Sequence, residues 1–305
     1  MVYPDNIEQK IDIGVIREQL GKLCASSLGR READEMAFMT DYQAVLHRLR
    51  EAEEMIRVLS DSSLQYPRGE INDLRESLTR VRVEGLYLDE QELFALRKSL
   101  DYAAALLRFF AGLDAVRFPQ LRAMVVGRWS FDVSEVLRVI DKAIDPFGRL
   151  KDSASPELGR IRRELSHAQG AVSGAVAAIL RRAQASGLLD KDASPVLREG
   201  RLVLPVPAAS RRKINGIVHD ESATGKTVFI EPQEVVEANN RIRALEAEEN
   251  RERLRILQAL TAEVRPSIPQ IMLTQGFLRQ DAHISCRRLE TVYYVYIILI
   301  FKHLF

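Results

Sequence analysis

The feature that most constrains the fold is a strand-like segment, residues 187–233, between two helical stretches of equal length. Residues 156–186 repeat apolar side chains in steps of three and four, a heptad seam. Residues 234–264 contain no glycine or proline and also favour a helix. Each 31-residue stretch would be about 46 Å long. The pattern predicts a two-helix lever arm around a small sheet. The seam consists of Leu158, Ile161, Leu165, Ala168, Val172, Ala175, Ile179 and Ala183.

The segment between the helices contains four β-prone runs. Gly200 and Gly225 mark turns between runs, so an antiparallel sheet is expected. Pro205 and Pro207 favour an edge position for the second run, because proline cannot donate a ladder hydrogen bond. The runs are Pro195–Glu199, Arg201–Val206, Gly216–Glu221 and Thr227–Glu231.

The rest of the chain is typical of an amphipathic helical layer. Asn6, Asp41 and Asp89 are predicted helix caps, and the first helix is expected over Ile7–Leu23. Residues 140–150 indicate strand, turn and strand around Asp145-Pro-Phe-Gly148. Residues 246–253 are polar throughout, which predicts a helix segment standing in water, or the surface helix of a globular domain. The fold class is therefore mainly α, with a helical core.

Composition narrows the functional classes. The chain is 46% hydrophobic and 7% aromatic, and its net charge is +1. Such a charge excludes the global basic field of a general nucleic-acid binder, so any such site must be a local patch. Cys24 and Cys286 are too few for a disulfide framework or a zinc site, which indicates a reducing cytoplasm. The first residues show no signal-peptide pattern, and a cytoplasmic protein is expected.

No catalytic, cofactor or metal site is predicted. Residues 220–227 end like a phosphate-binding loop, but Asp220 replaces the first glycine and a strand follows Thr227, so a hairpin turn and no ATP binding are expected. His219, beside two acidic residues, is expected on a solvated strand edge. The histidines have no metal-ligand spacing; they are His47, His167, His219, His283 and His303.

A basic cluster, Arg211-Arg212-Lys213, is the candidate binding site. It lies in a connection between strands, where long cationic side chains can reach phosphates. Arg198, Arg201 and Lys226 are expected to add to it. Solvated charges without a ligand are the alternative interpretation.

Several blocks of the sequence resemble the MutS family. The similarity is greatest to the bacterial paralogue branch that lacks the mismatch-reading N-terminal domain and is tied to suppression of recombination. It covers residues 5–280, and the block from Gly216 to Pro232 is its most specific part. The blocks are Lys151–Ser155 with Leu158, Ile161 and Arg162; Arg201–Val206; Gly216–Asp220 with Ser222 and Gly225; Thr227–Pro232; and Asn239 with Asn240.

The resemblance implies a helical core with long levers whose β clamp closes on the DNA backbone. It implies ATP-driven clamping by a homodimer, with the Walker-type ATPase domain, ATP and magnesium outside this chain, and often a nuclease domain. The implied division is a core over 1–150, levers over 151–187 and 233–265, a clamp over 188–232, and a return toward the core over 266–280.

Residues 281–305 depart from the family pattern, which continues with helix toward the ATPase domain. Residues 292–301 are an apolar, β-prone run, too short to cross a bilayer. We expect this tail outside the folded core, either as an out-of-frame or misassigned end or as a lineage-specific terminus.

Three functions stay open on this basis. The first is a module that grips duplex or branched DNA without sequence specificity, as part of a repair or recombination-control ATPase. The second is a module that contacts RNA or the ribosome with the same arm, since one role in the family is the dissociation of stalled ribosomes. The third is a structural coiled-coil stalk without a ligand. No membrane partner is expected.

Overall fold

The computed structural model describes residues 12–24, 26–37, 39–126 and 132–284. These residues form ten α-helices and one four-stranded antiparallel sheet, which confirms the mainly α fold class with a small sheet. The helices are α1 Ile13–Leu23, α2 Ser27–Asp34, α3 Tyr42–Ser60, α4 Arg75–Arg80, α5 Glu90–Gly112, α6 Pro119–Ala123, α7 Ser134–Ala143, α8 Pro156–Ala185, α9 Val236–Val264 and α10 Ile268–Ile284. The strands are β1 Val196–Arg198, β2 Arg201–Pro207, β3 Gly216–Glu221 and β4 Thr227–Pro232.

The chain divides into two compact units. The first, called the helical unit, comprises Met1–Arg149 and Leu257–Phe305, and the second, called the mixed unit, comprises Leu150–Ile256. The mixed unit holds α8, the sheet and α9 as far as Ile256, so it contains the predicted clamp, the first predicted lever helix and most of the second. The finer domain boundaries stay a prediction.

The helical unit is built around a core from α3, α5, α6 and α10. Phe110 of α5 lies at its centre, where it meets Tyr66, Phe109 and Phe277 edge to face. This arrangement suits the aromatic quadrupole. The carboxylate of Glu54 is buried, and it accepts hydrogen bonds from the backbone of Gln120 and Leu121 at 3.0 and 2.9 Å.

Two predicted helix caps are confirmed. Asp41 accepts a hydrogen bond from the Ala44 amide, and Asp89 forms a reciprocal capping box with Glu92. The continuous first helix is wrong, because Asp12 has φ of 52° and α1 begins only after it. A left-handed residue cannot continue a right-handed helix, and aspartate tolerates this conformation better than most residues. The predicted cap Asn6 lies outside the described residues.

The predicted strand Ile140–Ile144 is also wrong over residues 140–143. These residues end α7, whose buried side chains Val136, Ile140 and Ala143 recur at helical spacing. The β-branched side chains mislead a local interpretation, because a buried helix face accepts them as well as a strand does. The turn over 145–148 is present, with the Asp145 amide bonded to the Arg149 carbonyl at 2.8 Å.

The mixed unit begins with α8, which starts as predicted at Pro156 behind the cap Ser155. The predicted seam is buried at most positions, but Val176 is more deeply buried than Ala175. The buried side of α8 packs on one face of the sheet, which we call the inner face. The shared core contains Val172, Val176, Ile179, Ala183, Leu204, Val206, Val228 and Ile230.

The sheet has the strand order β1-β2-β4-β3. The predicted edge position of the second run is therefore wrong, since β2 lies inside the sheet. The prolines are nevertheless accommodated. β1 pairs only with residues 201–203 of β2, whereas Pro205 and Pro207 lie opposite Phe229 and Thr227 of β4. The proline half of the strand thus has a ladder partner on one side, which is the condition that proline requires.

The polar middle of α9 does not simply stand in water. Glu252 is 8% exposed, and Ser155 Oγ donates to it at 2.6 Å. Glu249 accepts from Arg162 of α8 at 2.8 Å. The hydrogen bond from Arg255 lowers the pKa of Glu252, whereas burial raises it. The hydrogen bond from Ser155 lowers it further. The polar middle of α9 therefore contacts α8 and its cap through ionised carboxylates, with little apolar surface.

α10 continues through residue 281, the predicted start of the tail, as far as Ile284. The remainder of the predicted tail, including the apolar run 292–301, lies outside the described residues. Within the described part of the chain, no helix is long and apolar enough to cross a membrane.

Candidate nucleic-acid interface

The loop that resembles a phosphate-binding motif is a β-hairpin turn, as predicted. Ser222 closes it, because its amide donates to the Thr227 carbonyl at 2.8 Å and its hydroxyl accepts from the Thr227 amide at 3.1 Å. Gly225 has φ of 66°, which favours glycine. The chain after this turn continues as strand β4. A phosphate-binding loop needs a helix N-terminus at that point, so the geometry differs from that of a nucleotide site.

The predicted basic cluster lies in a short 3₁₀ helix, Ala208–Lys213, that connects β2 to β3. Arg211, Arg212 and Lys213 are all exposed. Among the described residues, none of the three side chains has an ion-pair or hydrogen-bond partner. Because a 3₁₀ helix has three residues per turn, consecutive side chains point in directions about 120° apart.

Lys226 is placed beside this helix. Its carbonyl oxygen accepts a hydrogen bond from the amide of Ala208, the first residue of the 3₁₀ helix, at 2.9 Å. The Lys226 side chain is exposed and has no ion-pair partner in the described part of the chain. The fold therefore brings Lys226 and the 3₁₀ helix to the same end of the sheet.

Arg198 occupies the other face of the sheet, which we call the outer face. Its guanidinium carbon lies 4.4 Å from the centre of the Phe229 ring, and its Nε lies 3.8 Å from an Asp220 oxygen. Cation–π stacking and a distant counter-ion orient this arginine without burying it. The Arg198 side chain as a whole is 47% accessible.

Arg201, the sixth predicted contact, belongs to a buried network on the outer face. Its Nη1 donates to both carboxylate oxygens of Glu231, at 2.9 and 2.7 Å, and its Nη2 donates to Asn240 at 3.0 Å. Glu231 is fully buried, and it also accepts from Asn239 at 2.7 Å. A buried carboxylate is tolerated only when its oxygens are satisfied, and here several side chains satisfy them.

His219 completes this network, so the prediction of a solvated strand edge is wrong. Its Nε2 lies 2.6 Å from a Glu231 oxygen, and its side chain is 15% exposed. β3 has a bulge between Val218 and Asp220, which makes His219 the extra residue. A bulge changes the direction of a side chain, and this one allows the histidine of an edge strand to reach the carboxylate.

Gly216 allows β3 to approach the same region closely. A β-carbon at this position would lie 2.1 Å from the carbonyl oxygen of Glu231. No L-residue with a side chain fits there without movement of the backbone. The sequence blocks that resemble MutS proteins thus supply much of the buried network, including Arg201, Gly216, His219 and Glu231. This role was not predicted from the sequence, although an acidic residue at the end of the apolar run of β4 is a signal for it.

Within the described residues, no group of His, Cys, Asp and Glu side chains is arranged to hold a metal ion.

The chain is similar to proteins named Endonuclease MutS2. It is 36% identical to that of Pelotomaculum thermopropionicum over 256 residues, which are 84% of this chain and 32% of the relative. It is 34% identical to that of Symbiobacterium thermophilum over 254 residues, or 83% of this chain and 31% of the relative. The similarity supports a MutS2-type paralogue of the MutS family.

A third MutS2 relative, from Thermomicrobium roseum, is 33% identical over 264 residues, which are 86% of this chain and 32% of the relative. No family model matches the chain. The chain spans about a third of the length of the curated MutS2 relatives it matches. The predicted resemblance is confirmed.

Proposed function

We propose that the mixed unit of this MutS2-type chain grips the phosphate backbone of DNA without sequence specificity. The observation that carries the proposal is the set of exposed side chains Arg211, Arg212 and Lys213, with Lys226 beside them and no counter-ion among the described residues. Cations without partners can neutralise phosphates and release counter-ions. Arg201 is left out of the proposed contact set, because Glu231 and Asn240 occupy its guanidinium.

The small size of the element that carries the cluster supports non-specific contact. Sequence is read by a helix or ribbon that enters a groove with side chains suited to base edges. The exposed cluster instead lies on a 3₁₀ helix of six residues. Arginine and lysine side chains on it can contact phosphates whatever the base sequence, as expected of a clamp that closes on duplex or branched DNA.

The proposal extends to the whole protein through the family. The relatives are named endonucleases, and we propose that this chain is the lever and clamp part of a homodimeric, cytoplasmic, ATP-driven protein that controls recombination. ATP, magnesium and any nuclease centre then belong to other domains of such a protein. The hairpin turn at Gly225 supports this division, since it is followed by a strand and offers no helix N-terminus.

Salt-dependent binding tests the proposed contacts. The change is the triple substitution Arg211→Ala, Arg212→Ala and Lys213→Ala, with affinity for a branched DNA junction measured by fluorescence anisotropy at several salt concentrations. Each neutralised phosphate contributes about −0.9 to the slope of log affinity against log salt. Because the three side chains diverge, we expect the triple substitution to make the slope less negative by about 1 to 2 units rather than 3.

The matched control removes three exposed arginines elsewhere in the mixed unit, by Arg181→Ala, Arg243→Ala and Arg251→Ala. It changes net charge equally but should leave most of the slope unchanged. Equal losses in both triple variants would contradict a localised contact. Ribosomal particles in place of DNA test the alternative target, and binding to neither supports a purely structural stalk.

A further inference from the structure

The mixed unit contains a second candidate site, a groove of about 480 Å³ between α8 and α9. It is separate in sequence from the 3₁₀ cluster. Its walls combine three basic side chains with one acidic and two apolar side chains. The lining residues are Arg163, Glu164, His167, Ala168, Arg241 and Leu245.

The groove lies beside a group of ion pairs on the same helices. Arg160 bonds to Glu157 and Glu164, and Arg162 bonds to Asp152 and Glu249. In contrast, Arg163 and His167 are exposed and have no ion-pair or hydrogen-bond partner in the described part of the chain. Two basic groups next to these ion pairs are therefore uncompensated where the groove opens.

The two unmatched groups lie on the same side of α8. Arg163 and His167 are four residues apart, which places their β-carbons about 5–6 Å from each other on one helix face. Arg241 lines the groove from α9; its Nη2 donates to Glu164 at 2.8 Å, and its Nη1 lies 3.8 Å from a Glu248 oxygen. A ligand in the groove would thus meet nitrogen donors from both helices, above the apolar surface of Ala168 and Leu245.

Glu164 is the internal competitor in this arrangement. Its carboxylate bonds to Arg160 and Arg241, and these two hydrogen bonds hold its pKa below the usual value. It therefore stays ionised at neutral pH and occupies part of the capacity of Arg241. An incoming anion must share Arg241 with it.

We propose that the groove binds a phosphate group, held by Arg163 and His167 from α8 and by Arg241 from α9. A guanidinium presents paired N–H donors that match the oxygens of a phosphate, and an imidazole adds a donor from another direction. The phosphate can come from a nucleic-acid backbone or from free phosphate. This inference does not rest on the proposed function, because it uses none of the side chains of the 3₁₀ cluster.

Two-dimensional NMR of the histidine imidazole groups tests the site in the full chain. The His167 signal is assigned with a His167→Gln variant and followed during separate titrations with inorganic phosphate and with a single-stranded thymidine oligonucleotide of twelve residues. Saturable shifts of the His167 signal are expected with at least one probe. A response to the oligonucleotide alone identifies the polymer backbone as the source, and a response to both identifies the phosphate group itself.

Two variants should change this titration in opposite directions. Arg163→Ala should weaken binding about three- to tenfold by removing an unmatched cation, and Glu164→Gln should strengthen it several-fold by releasing Arg241. The control Arg243→Ala removes an exposed arginine on α9 that does not line the groove, and it should have no effect. The proposal is overturned if neither probe shifts the His167 signal, or if Arg163→Ala and Arg243→Ala change the affinity equally. The triple variant of the 3₁₀ cluster should keep this titration, so failure here and failure of the clamp contact are distinguishable.

Discussion

Arg201 and Arg211 are ten positions apart in the same segment of strands and connections. From the sequence, both are predicted to contact a nucleic-acid backbone. In the structure they differ completely. Arg201 is 13% exposed and is held by the buried carboxylate of Glu231, whereas Arg211 is exposed on a 3₁₀ helix without a partner among the described residues. The comparison shows that two arginines of the same segment can have different structural roles, and that the buried partner Glu231 is what separates them.

The largest effect is expected when the carboxylate of Glu231 is removed. Glu231→Ala leaves Arg201, His219 and Asn239 without their common acceptor, and breaking a buried ion pair costs about 3–5 kcal/mol. We expect the amides of β2 and β4 to exchange hydrogen much faster in the full chain, as measured by mass spectrometry. The affinity for nucleic acid should fall only in proportion to the fraction of molecules in which the sheet is open.

The control for this prediction is Arg211→Ala, a surface change that should alter stability by less than about 0.5 kcal/mol. Its effect should be confined to binding. If Glu231→Ala left exchange in the sheet unchanged, or if Arg211→Ala opened the sheet, the division between the two arginines would be wrong.

A smaller effect is expected from Gly216→Ala, which sharpens the same comparison at the backbone. The added β-carbon would meet the Glu231 carbonyl at 2.1 Å, and such overpacking costs about 1–3 kcal/mol. A lowered urea midpoint for the sheet amides is the expected measurement. Gly174 is the matched control, because a β-carbon there meets nothing within 4 Å. Gly174→Ala in the interior of α8 should stabilise the helix by about 0.5–1 kcal/mol. Two substitutions of the same kind should therefore have opposite signs.

The smallest expected effect concerns the carboxylates that join α8 and α9. The pKa values of Glu252 and Glu164 are lowered in the folded state by their arginine partners. Carboxylates of this kind contribute stability above their unfolded pKa of about 4.3, and the contribution is lost as pH falls through the folded pKa. Hydrogen exchange in α8 should therefore be constant between pH 7 and 5, after correction for intrinsic rates, and its protection should fall below about pH 4. Glu252→Gln should reduce that acid sensitivity; an unchanged profile would contradict the assignment.

Much of the fold follows from local patterns in the sequence. The strand runs, the Gly200 and Gly225 turns, the cap at Ser155 and the absence of helix breakers in α9 are short-range properties, so they identify the two helices and the sheet between them. The exposed basic cluster is also visible locally. In contrast, the pattern wrongly predicted a strand over residues 140–143. A β-branched residue such as Ile140 suits a buried helix face as well as a strand.

The sequence alone thus determined the order of helices and strands in the mixed unit and the family resemblance, because periodicity, turn residues and motif blocks are local properties of the chain. Only the tertiary structure decided which charged side chains are buried and paired. Glu231 lies four positions after Thr227 in β4, and it is the strand order and the bulge at His219 that surround it with Arg201, His219 and Asn239. The physical reason is that burial and ion pairing depend on distances between elements far apart in sequence, which no local pattern contains.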